Sequence, residues 1–173
     1  METIKNLSTK LEKYPLLVGV CISMAISSLF FLIGINIKGF GVNLNVDKAT
    51  FLEIFSHNSL GSLLLIMSVF TFGSITSLIV VGNFLFFGVK IRALISGFDI
   101  ELLFQKVIAH GIIEIPSIIL AASFGYYLLS LKILKKPVKI DKKFWFLFFR
   151  VIIVCLLLNA LAAFVEAKVG MEY

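Results

Sequence analysis

Four long stretches of this sequence are almost free of charged residues, and they decide what the chain can fold into. They cover about residues 15–37, 59–89, 107–131 and 144–167. A helix needs about 20 apolar residues to cross the roughly 30 Å hydrocarbon layer of a bilayer. With 60% hydrophobic and 15% charged residues among 173, the chain predicts an all-α, polytopic transmembrane helical bundle. We expect residues 1–173 to form a single transmembrane domain.

The number of spans depends on residues 59–89. This stretch is longer than one span needs and contains several glycines, so it predicts either one tilted helix or two short helices in a hairpin. Two crossings place the lysine-rich loop around 132–143 on the same side as the N-terminal lysines. Because lysine and arginine accumulate on the cytoplasmic side, five spans are favoured over four. The N-terminus is then cytoplasmic and the C-terminus external, and span 15–37 is an uncleaved anchor.

Two amphipathic segments, 47–55 and 90–106, predict short helices at the membrane surface. The net charge of +6 belongs to residues that flank the apolar stretches. Membrane lipids with anionic headgroups therefore explain these charges, and no nucleic-acid partner is expected. Cys21 and Cys155 lie deep in apolar stretches, which does not predict a disulfide framework.

The segment from His110 to Pro116 (HGIIEIP) places two ionisable groups in an apolar stretch. His110 and Glu114 are four residues apart and share a helix face. Ionisable residues inside a membrane usually face the protein interior and have partners. Pro116 lacks an amide donor, which predicts a broken helix around this residue with 117–131 as its main rod.

The last stretch carries a second polar stripe, with Asn159 and Glu166 seven residues apart on one helix face. Antiparallel spans place Glu166 at the same membrane side as His110 and Glu114, and five spans bring His57 to that side too. Imidazole and carboxylate groups are ligands that zinc accepts. The sequence therefore offers a candidate divalent metal site, for zinc or a similar ion, with these ligands: His57, His110, Glu114 and Glu166. The alternative is a structural His–Glu pair, and no zinc-protease motif occurs.

Three motifs follow one another along the chain. Phe72 to Thr76 (FGSIT) precedes Gly82-Asn83 and Gly88, His110 to Pro116 comes next, and Ala162 to Glu166 (AAFVE) closes the series. Together they resemble the Phe-Gly-x-x-Thr…Asn-Gly…Gly, His-Gly-x-x-Glu-x-Pro and Ala-Ala-x-x-Glu signatures of the stage II sporulation protein M family. The His-Asn pair at 57–58 stands where members usually carry an asparagine. The resemblance covers about residues 57–167 and includes these motif or structural residues: Gly73, Thr76, Asn83, Gly88, Gly111 and Pro116. Asn159 is added by its place on the stripe of the last span.

Two departures accompany the resemblance. Gly82-Asn83 reverses the Asn-Gly order of the family, which leaves the role of Asn83 open, and Ala109 stands where members often have proline. Small residues such as Gly73 and Ser77 are also what close helix packing requires, whatever the family.

The resemblance implies a multi-pass protein of the bacterial cytoplasmic membrane without an established catalytic role. The named member works with a peptidoglycan hydrolase and a further membrane partner during engulfment in sporulation. Compact relatives occur beside genes for circular bacteriocins and are linked to maturation, export or self-protection. The first hypothesis is thus a component of a cell-envelope or peptide maturation and export complex, whose partners are membrane proteins or an exported peptide. The alternatives are an intramembrane metal-dependent hydrolase or peptide ligase, and a transporter subunit.

Overall fold

The computed structural model of the chain describes residues 14–38, 50–96 and 109–171, and every regular element in these ranges is helical. The elements are α1 Pro15–Asn36, α2 Phe51–Met67, a 3-10 turn Ser68–Thr71, α3 Ser74–Ser96, α4 Ala109–Gly125, α5 Tyr127–Ile133 and α6 Lys142–Met171. Four of these units, α1, α2 with its 3-10 turn, α3 and α6, are long and apolar enough to cross a membrane. The bent pair α4–α5 would be a fifth. The predicted all-α membrane bundle is confirmed.

The helix α1 agrees with the first predicted span. It begins at Pro15, and proline suits the first helical turn, where the missing amide hydrogen would have no intrahelical acceptor. It ends at Asn36, one residue before the predicted boundary.

The stretch 59–89 contains parts of two helices, α2 and α3. The helix α2 begins before residue 59, and α3 continues past residue 89. The helix α2 begins at Phe51, where Thr50 and Glu53 form a capping box: the Glu53 side chain accepts from the Thr50 amide at 2.7 Å, and Thr50 Oγ1 accepts from the Glu53 amide at 3.4 Å. From Phe51 onward, the predicted surface helix 47–55 is therefore the first part of α2 rather than a separate element, and residues 47–49 lie outside the described ranges. Residues 90–96 continue α3 rather than starting a separate surface helix, and 97–106 also lie outside.

Helix directions alternate along the chain. The start of α1 meets the end of α4 at Gly19 and Ser123, and the start of α3 meets it at Thr76 and Gly125. In the same way α6 runs against α4, because its early residue Phe144 contacts Phe124 while Cys155 lies beside Ser117. The helix α2 is parallel to α4, because Ser62 lies beside Ser117 and the later residue Leu65 lies beside Gly125. The chain therefore reverses direction at the turn after α2, as two crossings of 59–89 require.

The bundle has two ends. The hairpin end contains the start of α1, the turn around residues 72–73 and the loop 134–141 between α5 and α6. The histidine end contains the start of α2 with His57, the start of α4 with His110, and the end of α6 with Glu166.

The break in the fourth span lies elsewhere than the proline suggested. Pro116 is inside α4, which continues to Gly125, and the axis bends by 54° between α4 and α5. The broken span is confirmed, but 117–131 is not a single rod. A membrane helix tolerates an internal proline because neighbouring helices compensate for the lost hydrogen bond. The bend falls at Tyr126, where Gly125 packs closely against Thr76 and the carbonyl oxygen of Leu65.

Candidate functional site

The turn between α2 and α3 contains the first motif and requires its glycine. Phe72 and Gly73 both have positive φ angles, of 52° and 84°. A β-carbon on Gly73 would collide with the ring of Tyr126. Glycine is therefore needed twice, for the left-handed backbone and for the close approach to the bend of the fourth span.

Hydroxyl groups join this turn to the bend. The side chain of Thr76 is fully buried and hydrogen bonds to the hydroxyl of Ser68. Ser77 hydrogen bonds to the hydroxyl of Tyr126 at 2.9 Å and donates to the Gly73 carbonyl oxygen at 2.9 Å. The first motif thus seats the α2–α3 hairpin on the α4–α5 bend. Tyr126 was missed by the sequence reasoning, because its role depends on a residue 49 positions away.

Gly88 belongs to a close contact between α1 and α3. A β-carbon there would meet the carbonyl oxygen of Phe31 and the amide nitrogen of Ile35, and one on Gly34 would meet the Leu85 carbonyl oxygen. We call this contact the glycine seam; it consists of Gly34 and Gly88. Asn83, on the same helix, is exposed on the bundle surface. The reversed Gly82-Asn83 pair therefore lies outside the seam.

A second contact, the polar core, joins α2, α4 and α6 and consists of Ser62, Ser117, Cys155 and Asn159. Asn159 is 1% exposed and donates from Nδ2 to the Ser62 hydroxyl at 3.0 Å. The hydroxyls of Ser62 and Ser117 are 3.4 Å apart. Ser117 donates to the Cys155 carbonyl oxygen at 3.5 Å, and the thiol of Cys155 donates to the Ser117 carbonyl oxygen at 3.7 Å. Asn159 was singled out from sequence, whereas both serines were missed because serine is common in apolar spans.

The polar core continues toward the histidine end. Asn58 lies one turn before Ser62 on α2 and is buried, and its Nδ2 atom has no hydrogen-bond partner among the described residues. Glu114 lies about one turn before Ser117, and Glu166 two turns after Asn159, so both carboxylates follow the same helix faces. Both are partly buried, and the Glu166 Oε2 atom is shielded from solvent. The two glutamates therefore lie where the polar core approaches the end of the bundle.

The four candidate ligands lie on elements that meet at this end of the bundle. His57 is exposed on α2, and His110 lies in the first turn of α4, with a side chain outside the described part. Within the described part of the chain, no three His, Cys, Asp or Glu side chains come close enough to hold a metal. The four-ligand site stays a prediction. Of the remaining motif residues, Gly111 is buried and Pro116 is exposed.

The comparisons with known proteins identify one family. The model of the family described as stage II sporulation protein M matches residues 16–170. No curated protein and no solved structure matches the chain. The match begins in the first turn of α1 and extends almost to the end of α6, so it covers all the helices of the bundle.

Proposed function

The chain belongs to the stage II sporulation protein M family, and we propose that it is a non-catalytic component of a membrane complex acting on the cell envelope or on an exported peptide. The complex would be of the engulfment type or of the type associated with circular bacteriocins. This function is supported by the positions that the signature residues occupy in the fold. Gly73, Thr76 and Gly88 lie at helix–helix contacts.

These contacts leave the outer faces of the helices for partners. Large apolar side chains cover them, such as Leu78 at 73% and Leu157 at 67% exposure. Lipid or the helices of other membrane proteins would cover such faces equally well. In this proposal the His–Glu motif and Glu166 stabilise the histidine end, and partners bind around the bundle.

The proposal includes an orientation in the bacterial cytoplasmic membrane. The lysines of α5, the following loop and the start of α6 all lie at the hairpin end, beside the start of α1. By the positive-inside rule this end is cytoplasmic and the histidine end is external. A reporter fused after Tyr173 that is active only outside the cytoplasm should be active. A reporter active only in the cytoplasm would contradict the orientation.

The function is tested by the assembly of the full chain in membranes of its host. When the membrane is dissolved with a polymer that keeps native lipids around the protein, the chain should migrate in a native gel as part of a larger complex. Glu114→Gln and His110→Ala should both reduce that complex together with the folded fraction, because the first removes the partly buried carboxylate and the second the imidazole of the His–Glu motif. His57→Ala is the matched control, since this side chain is exposed on α2. If both variants assembled normally and only a reaction product disappeared, the non-catalytic function would be wrong.

A metal-dependent hydrolase or peptide ligase is the second candidate, favoured by one observation. His57, Glu114 and Glu166 lie on different helices yet at one end of the bundle, and His110 begins α4 at this end too. A bound zinc ion would activate water or polarise a carbonyl group. Protein purified without chelators should then contain one zinc per chain, and His110→Ala should lose it. Metal-free protein with normal activity in the host would rule this candidate out.

A further inference from the structure

An arginine lies on the outer surface of the last span. Arg150 is in the third turn of α6, and its side chain is exposed between apolar neighbours. Phe146 is 67% exposed and Ile153 is 59% exposed on the same side of the helix. A charged group that faces lipid is costly unless it reaches a polar partner. The position of Arg150 therefore requires an explanation that packing inside the bundle does not supply.

The guanidinium group points toward the hairpin end. Its Cζ atom lies 5.4 Å from the ring centroid of Phe146, one turn closer to the start of α6. Helical side chains lean toward the N-terminus of their helix, and for α6 that is the hairpin end. Trp145 is 42% exposed and suits the headgroup level of a bilayer. Arg150 lies only about 8 Å farther along the helix, so its long side chain reaches that level.

A second cation stands on the same helix face. Lys143, Phe146 and Arg150 follow at positions i, i+3 and i+7, and Lys143 is exposed. The nearby acidic group, Asp141, is engaged as the helix cap, because its Oδ1 atom accepts from the amides of Lys143 and Phe144 at 3.0 Å each. The face thus combines two cations with an aromatic ring between them.

We propose that Lys143, Phe146 and Arg150 form a binding site for an anionic phospholipid in the leaflet at the hairpin end. The guanidinium fork matches two oxygens of the lipid phosphate, which a single ammonium group cannot do. Lys143 lies nearer the water and favours a headgroup with net negative charge over a zwitterionic one. The ring of Phe146 packs against the first carbons of the lipid chains.

The other end of α6 provides a matched control. Lys168 lies over the ring of Phe164, with its nitrogen 5.0 Å from the centroid, in the same i, i+4 arrangement. Lys168, however, is near the C-terminus of the helix, so its side chain leans toward the centre of the span rather than toward the nearer headgroups. This pair should not bind a lipid phosphate in the same way.

The only tryptophan of the chain, Trp145, reports on the lipid at this site. The full chain is reconstituted in vesicles of phosphatidylcholine and phosphatidylglycerol, with bromine on the acyl chains of one lipid at a time. Brominated phosphatidylglycerol should quench Trp145 as if enriched roughly fivefold over its share of the mixture. Arg150→Gln should remove most of this enrichment, and Lys168→Gln should retain it.

Three results would overturn the proposal. Equal quenching by the two lipids in the native protein would show that no anionic lipid is selected. Full enrichment in Arg150→Gln would show that the lysine loop holds the lipid instead. Loss of enrichment when inorganic phosphate is added would identify a site for the free anion. If Arg150→Gln does not fold, Arg150→Lys keeps the charge without the fork, and enrichment should fall to an intermediate value; an unchanged value would exclude recognition by two oxygens.

Discussion

Two contacts hold this bundle together by opposite means. In the glycine seam, Gly34 and Gly88 allow the backbones of α1 and α3 to touch, and a β-carbon on either would collide with the other helix. In the polar core, Ser62, Ser117 and Asn159 bring hydroxyl and amide groups from three helices within hydrogen-bonding distance. One contact depends on missing side chains and the other on the side chains present.

The difference follows from the solvent. In lipid, bringing two apolar helix faces together removes no water, so association needs either close packing or polar contacts. The first helix packs mainly through shape, although it contains buried serines. The second, fourth and sixth helices combine packing with hydrogen bonds. Substitutions of the same kind should therefore have different effects at the two contacts.

The largest effect is expected from filling the seam. Gly88→Val should destabilise the protein by about 3 kcal/mol, because the new side chain meets the backbone of α1 rather than a flexible side chain. Gly82→Val is the control on the same helix, since a β-carbon there has no atom within 4 Å. The stability of both variants is measured as the midpoint of unfolding in mixtures of dodecyl sulfate and dodecyl maltoside. Equal midpoints for the two variants would argue against a backbone contact between α1 and α3.

An intermediate effect is expected in the polar core. Asn159→Ala should cost about 1 kcal/mol, because it removes the donor to Ser62 and leaves a small cavity. The pair is measured by a double-mutant cycle with Ser62→Ala. The interaction energy should be about 0.6 kcal/mol, the usual size for hydrogen bonds between membrane helices. Strictly additive effects would mean that the hydrogen bond contributes nothing to stability.

The smallest effect is expected from serine to alanine on α1. Ser23 and Ser27 are buried, and their hydroxyls have no hydrogen-bond partner among the described residues. Replacing either with alanine removes a buried polar group without breaking a bond, so the free energy of unfolding should stay the same or rise slightly. The same substitution at Ser62 is the comparison and should destabilise. A clear loss of stability in Ser23→Ala would reveal a polar contact at the first helix.

Much of the fold was predictable because the transfer of apolar residues into lipid is a local property. The spans at 15–37 and 144–167 were predicted within a few residues of α1 and α6. The end of α2 and the start of α3 were not predicted, because the sequence analysis marked the ends of a span by charged residues and 59–89 contains none. The capping box at Thr50 and Glu53 extends α2 into residues that the charge pattern assigned to the membrane surface.

The candidate site was predictable only in part. The sequence placed Asn159 and Glu166 on one helix face, and the structure adds that Asn159, Ala162 and Ala163 on this face are buried. The metal site remains a prediction, since three of its ligands are now placed at one end without a described cluster. Ser62 and Ser117 could not have been selected, because their importance lies in facing each other across two helices 55 positions apart.

The sequence by itself determined that this chain is a helical membrane protein, where its first and last spans lie, and which family it resembles. These conclusions rest on hydropathy, charge and short motifs, which are properties of residues close together in the sequence. Only the tertiary structure decided that the chain turns at Phe72 and Gly73, bends at Tyr126 rather than at Pro116, and packs α1 against α3 through glycine. Each of these depends on contacts between small or polar residues far apart in the chain, and such residues leave little trace in hydropathy because their effect arises only when helices meet.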